Sequence, residues 1–189
     1  MEASVDREAR SPRDYFELFQ LPADFDLDAE DLSRRFKVLQ KQFHPDRFAG
    51  KTPAEQRVAA QLSAELNAGF QILKDEVKRA GFMLERQGVD LKVLEREPVD
   101  GDFLLQQIEL RESASMILSA EAKQRDQKAV AALHESTHAL YDEWLSAFRQ
   151  TVAGGELESA GRAWVKLLYL SKLRAELPPM EATETSSWS

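Results

Sequence analysis

Two short stretches of this chain bring together residue types that could do chemistry: His44-Pro45-Asp46, and His134-Glu135-Ser136-Thr137-His138, which reads H-E-x-x-H. The second makes the more specific chemical suggestion. On a helix its imidazoles stand one turn apart on one face and could share a zinc ion, with Glu135 as general base for peptide hydrolysis. Such a centre needs a third protein ligand, and no histidine follows His138, which leaves only a glutamate such as Glu156 or Glu158 beyond the Gly154-Gly155 break. No edge strand is evident to hold a peptide. The five residues lie within an amphipathic run, 127–152, whose apolar face is Leu133, Leu140, Trp144 and Phe148, and they read more simply as its polar side.

His-Pro-Asp arises by chance in about one chain of this length in a hundred, so its neighbours must give it meaning. A histidine before proline ordinarily does no more than help a helix end, and an ordinary pKa of about 6.5 makes the residue easy to over-interpret. No Ser or Cys nucleophile pattern accompanies His44, and the loop that presents it is expected to be convex, not a pocket. Catalysis by this stretch is therefore not expected.

The elements around His44 are well marked. Leu32, Phe36, Leu39 and Phe43 recur at helical steps, Asp28 is a suitable N-cap, and Glu30 and Asp31 face the positive end of the helix dipole. The other face carries Arg34, Arg35, Lys37 and Lys41. Pro45 disfavours helical geometry at His44 and donates no backbone hydrogen bond, so the helix should stop there. Thr52-Pro53-Ala54-Glu55 then combines an N-cap hydroxyl, a first-turn proline and a capping-box glutamate. The helix that follows should bury Leu62, Leu66, Phe70 and Leu73, flanked by Ala59 and Gly69 and widened by Val58 and Ile72. Two antiparallel helices joined by a short loop result.

The second half reads as three helices near 102–119, 121–152 and 156–177, with Asp102 capping the first and Gly154-Gly155 separating the last two. Leu104, Leu105, Ile108 and Leu110 make the first of these apolar over more than one stripe, interrupted by Gln106, Gln107, Glu109, Arg111 and Glu112. A bundle core needs one stripe, so the surplus suits a docking helix or packing against the rest of the chain. Between the halves, residues 88–101 carry turn signals around Leu91, Val93 and Leu94, as expected of a partly buried elbow. Residues 1–11 and 178–189, Trp188 included, should be disordered, and no internal repeat is evident.

Composition agrees with two helical modules: 189 residues, 31% charged, 43% hydrophobic, 8 Gly and 7 Pro. The absence of Cys excludes disulfides and thiolate metal sites. No apolar run approaches the roughly 20 residues that span a bilayer, and the first fourteen residues lack an apolar signal core. A cytoplasmic protein without membrane attachment is the expectation. The net charge of -8 argues against nucleic-acid binding. Yet Leu32 to Phe48 holds five basic residues (Arg34, Arg35, Lys37, Lys41, Arg47) against the single acidic Asp46. Such a face is ordinarily just solvated; beside the His44 loop it suits docking of an acidic protein partner, with binding that weakens in salt.

The entry segment Asp14-Tyr15-Phe16-Glu17-Leu18-Phe19, the basic helix, His44-Pro45-Asp46 and the capped helix after it together resemble a J-domain over residues 12–87. Adding Gln20-Leu21-Pro22, Arg47-Phe48-Ala49 and the run Phe103-Leu104-Leu105-Gln106-Gln107-Ile108-Glu109-Leu110-Arg111-Glu112, the chain resembles the HscB-type co-chaperones of iron–sulfur cluster assembly over about nine tenths of its length. The fold this implies is all-α: a J-domain, built as an antiparallel helical hairpin with short flanking helices, an elbow at 88–101, and a C-terminal three-helix domain at 102–177. The function it implies is non-enzymatic and needs no cofactor. His44, Pro45 and Asp46, with Arg34, Arg35, Lys37, Lys41 and Arg47, would contact a DnaK/HscA-class chaperone and stimulate its ATPase. Leu104, Leu105, Ile108, Glu109, Arg111, Glu112 and Tyr169 match the family's contacts to the IscU-type scaffold protein. Leu105, Ile108 and Tyr169 stand where other members carry Met, Leu or Phe, replacements that conserve volume, whereas Met116 occupies a position that can be acidic. The alternatives are a J-protein with a different client and, remotely, the zinc peptidase.

Overall fold

The computed structural model describes residues 14–121 and 124–179, so the expectations for residues 1–11 and for 180–189 lie outside the described residues. Every regular element among them is helical, and none is long and apolar enough to cross a membrane. The chain divides into two compact units, one up to Val89 and one from Asp90.

The first unit contains α1 (Tyr15–Leu18), α2 (Ala29–Gln42), a 3-10 turn (Pro45–Phe48), α3 (Pro53–Lys74) and α4 (Glu76–Arg86). Side-chain caps set each start. Asp14 accepts from Phe16 N, Asp28 from Glu30 N and Asp31 N, and Asp75 from Val77 N and Lys78 N. Thr52 and Glu55 complete the expected capping box; each such cap contributes about 1 kcal/mol. The core joins Phe16, Phe19, Leu32, Leu66, Leu73 and Phe82, and the α2–α3 hairpin is closed by Phe36 and Phe70, whose rings stack at 4.2 Å.

Gly69 permits the close seat of α1 on α3, for a β-carbon there would lie 2.6 Å from Tyr15 Cδ1. Val58 does not widen the buried stripe: it is exposed, and Ala59, one helical step round, is buried instead.

The second unit contains α5 (Leu91–Leu94), α6 (Gly101–Ser119), α7 (Gln127–Ala153) and α8 (Leu157–Glu176). Of the connecting residues, Leu94 is buried over Gly161 of α8 while Val93 is exposed. Asp100, not Asp102, caps α6, accepting from Phe103 N at 3.0 Å. The long helix starts six residues later than expected because Asp126 accepts from Lys128 N and fixes the first turn there. Its buried stripe is Val130, Leu133, Thr137, Tyr141, Leu145 and Phe148; Leu140 and Trp144 are half-buried. Thr137 is tolerated inside because its hydroxyl donates to Leu133 O at 2.8 Å. Gly155, at φ 73°, makes the left-handed turn that ends α7, as Glu156 N returns to Thr151 O at 2.9 Å.

Candidate functional site

In the first unit, α2 ends with Phe43 as its C-cap, and His44 takes the extended conformation (φ −63°, ψ 129°) that the following proline demands. Pro45 starts the 3-10 turn. His44 Nδ1 accepts the Asp46 N–H at 3.3 Å and lies 3.5 Å from an Asp46 carboxylate oxygen. With Nδ1 accepting, the neutral ring carries its proton on Nε2. Gln56 on α3 holds the far side of the loop, donating to Ala49 O and Lys51 O at 3.1 and 3.0 Å. Two hydrogen bonds from α3 and a proline therefore fix an exposed loop that presents an imidazole and a carboxylate side by side.

The basic residues do not act as one set. Lys37, Lys41, His44 and Arg47 line one shallow groove together with Gln40. Gln40 was not singled out in the sequence, although positions 37, 40, 41 and 44 share one helical face. Arg34 pairs with Asp31. Arg35 also pairs with Asp31, and it donates to Phe19 O and Gln20 O at 3.2 and 2.9 Å, closing the C-terminus of α1 where Gln20 has a left-handed φ of 55°. Arg35 is thus a tertiary strut, and the charge left for a partner concentrates on Lys37, Lys41 and Arg47. Glu55, behind the loop, has its carboxyl held below the usual range, first by the Thr52 hydroxyl and then by the Thr52 amide.

In the second unit, α6 turns Phe103, Gln107 and Ala114 inward. Leu104, Leu105 and Ile108 remain 40%, 61% and 51% exposed, and Tyr169 of α8 is 38% exposed. The Tyr169 ring meets Phe103 edge-on at 6.3 Å, which ties it to the same face as α6. Glu109 and Glu112 are exposed beside these residues, and Arg111 pairs with Glu176 of α8 at 3.1 Å. The result is an apolar patch with a charged rim built on two helices. Met116 and Leu118 add exposed apolar surface further along α6; sequence reasoning missed Leu118, because Arg111 and Ser115 interrupt the helical row that leads to it from Ile108.

The H-E-x-x-H residues lack the geometry of a metal centre. His134 Nε2 lies 2.8 Å from Pro178 O, so that nitrogen donates to a carbonyl. His134 and His138 face the C-terminal end of α8, beside Ser171, Arg174 and Leu177. Glu156 and Glu158 stand at the opposite end of α8, some 20 Å away at 1.5 Å per residue, and cannot complete the ligand set. No cluster of three potential metal ligands occurs among the described residues.

Residues 99–178 match the family model for the HSCB C-terminal oligomerisation domain. The chain is 37% identical over 169 residues to the co-chaperone protein HscB homolog of Photobacterium profundum, which covers 89% of this chain and 97% of that protein. It is 35% identical to the homolog of Vibrio cholerae (strain M66-2), with 88% and 96% covered. Among solved structures it is similar to chaperone HscB from Vibrio cholerae (TM-score 0.77, 34% identity, 86% of this chain and 94% of that one). Human co-chaperone protein HscB shares the fold at 22% identity, with a TM-score of 0.78 over 87% of this chain and 80% of that one. A helical chain with an exposed His-Pro-Asp loop in one unit and an apolar face on the first long helix of the other, so similar to these proteins along nearly its whole length, belongs to the HscB co-chaperone family.

Proposed function

We propose that this protein is an adaptor in iron–sulfur cluster assembly. Its second unit docks the IscU-type scaffold protein on Leu104, Leu105, Ile108 and Tyr169, with Glu109, Arg111 and Glu112 setting orientation. Its first unit engages a DnaK/HscA-class chaperone through His44, Pro45 and Asp46 and the Lys37, Lys41 and Arg47 groove, and stimulates ATP hydrolysis there. The reading assigns the protein to the cytoplasm and gives it no catalytic group of its own, since the hydrolytic chemistry belongs to the chaperone. The observation that carries the proposal is the exposed patch of α6, where three large apolar side chains sit inside a rim of charge on a helix already paired with α7 and α8.

Physically, apolar anchors supply docking affinity while rim charges orient and accelerate encounter. The His44 loop must bind the hydrolysis-competent state of the chaperone better than its competitor, because a ligand without differential affinity shifts nothing. Carrying both sites on one chain raises the local concentration of scaffold at the chaperone.

Crossed variants test this division of labour. His44→Gln should abolish ATPase stimulation and retain scaffold binding, and the triple alanine variant at Leu104, Leu105 and Ile108 should do the reverse. Loss of both activities by both folded variants would contradict it.

A further inference from the structure

α6 carries the proposed docking face yet is anchored sparsely to its own bundle. Of its 19 residues only Phe103, Gln107 and Ala114 are buried, and both polar atoms of the Gln107 side chain are buried without a hydrogen-bond partner. One buried cation compensates at the start of the helix. Lys166 of α8 is 8% exposed, and its ammonium lies 2.5 Å from Asp100 Oδ2, the second oxygen of the carboxylate that caps α6. The same nitrogen sits 3.5 Å from the Trp144 ring centroid on α7 and 5.5 Å from that of Phe103. Phe103 in turn meets Trp144 edge-on at 6.1 Å and supports Tyr169.

A largely desolvated ammonium is costly unless it is paired, and here the half-exposed Asp100 carboxylate at the start of α6 and the Trp144 ring of α7 satisfy it together. In agreement, the Asp100 carboxyl is held below its usual range, first of all by its hydrogen bond with Lys166. Tyr169 lies three residues after Lys166 on the same helix, so a displacement of Lys166 is felt at both halves of the docking face.

We propose that Lys166, held between Asp100 and Trp144, is a positioning residue that fixes the first turns of α6 and the Tyr169 ring in the geometry that receives the scaffold protein. The inference rests on the docking role proposed above. Without the ammonium, the start of α6 is held by its cap and Phe103 alone and samples displaced positions, and apparent affinity falls by the fraction of chains still in place.

The test measures scaffold affinity by calorimetry for the full-length wild type, Lys166→Met, Lys166→Arg, Asp100→Asn and the Lys166→Met/Asp100→Asn double variant. Asn retains the helix cap, so Asp100→Asn isolates the ion pair from the capping. Hydrogen exchange of the 104–108 amides gives a readout that needs no partner. Lys166→Met should weaken binding about five- to tenfold, as expected if the correctly placed fraction drops to about a tenth or a fifth. Asp100→Asn should weaken it similarly, and the double variant should lose no more than either alone. Lys166→Arg, which can keep both the carboxylate and the ring, should stay near wild type. Exchange at 104–108 should rise in Lys166→Met, with helix content and scaffold-free ATPase stimulation unchanged.

Binding by Lys166→Met within twofold of wild type would overturn the inference, as would an equal loss in Lys166→Arg or independent losses at the two positions. If Lys166→Met does not fold, Asp100→Asn and Lys166→Arg decide by the same criteria. A wild type that does not bind scaffold removes the docking reading, and the exchange comparison then decides by itself whether Lys166 holds α6.

Discussion

Truncating the exposed side chains of α6 one at a time should rank them by what each has left to bury. Leu105 is 61% exposed, Ile108 51% and Leu104 40%. Fully covering a Leu or Ile contributes about 1.5–3 kcal/mol, and only the part still exposed in the free protein can be gained on docking. That leaves about 1–2 kcal/mol for Leu105 and about 0.6–1.2 kcal/mol for Leu104, with Ile108 between them. Together the three amount to about one and a half side chains, or about 2.3–4.5 kcal/mol, which weakens the dissociation constant about 40- to 2,000-fold in the triple alanine variant. Stability should follow the opposite order, because Leu104 is the most covered within the bundle. Titration calorimetry against purified scaffold, paired with thermal melts, reads both quantities. A triple variant that binds within twofold of wild type while fully folded would refute the reasoning, and so would Leu104→Ala weakening binding more than Leu105→Ala without a change in melting temperature.

The basic face should divide in the same manner. Arg35→Ala should lower stability by about 0.5–1.5 kcal/mol, since it removes the guanidinium bonds to Phe19 O and to the solvent-exposed Gln20 O, whereas Lys37→Ala and Lys41→Ala should slow association with the chaperone at low salt and leave the melt unchanged. Equal melting of all three variants would contradict this. Gly69→Ala should destabilise by about 1–2 kcal/mol, the overpacking against Tyr15 exceeding the gain in helix propensity, and a raised melting temperature would show that α1 can shift away. The lowered pKa of Glu55 means that its stabilisation is fully present above the ordinary carboxylate value of about 4.3 and is lost as pH falls through the lower folded-state value. Melts of wild type and Glu55→Ala should therefore differ at neutral pH and converge in acid; a gap that persists at pH 2 would contradict the capping assignment.

Local chemistry made the His44 loop legible. Pro45 stops α2, Thr52 and Glu55 start α3, and Asp28 caps the helix before the loop, each within a few residues of its effect. The same rules erred where two residues fitted equally well. Asp100 and Asp102 both qualify as a cap, and the choice fell to Asp100 because its other oxygen meets Lys166, a residue 66 positions away. Arg35 shows the same limit: on the helix surface it is one more cation, and only the fold brings it to Phe19 and Gln20. Periodicity located the apolar face of α7 but not its phase, since Thr137 enters the core only by bonding to Leu133 O. The surplus of apolar residues on α6 was visible in the sequence. Which of them remain exposed depends on Phe103 and Gln107 turning inward: the row 103, 107, 110, 114 and 117 faces the core, and the polar Gln107 interrupts it where Leu104 and Ile108 offer a competing apolar pair.

The central claim is that one chain joins a chaperone trigger to a scaffold dock. ATP turnover by a DnaK/HscA-class chaperone, measured with and without this protein and the IscU-type scaffold, tests it most directly. The account predicts that the two proteins together stimulate turnover beyond the product of their separate effects, and that His44→Gln abolishes the synergy while the scaffold still binds. Stimulation unaffected by the scaffold, or undiminished in His44→Gln, would contradict it.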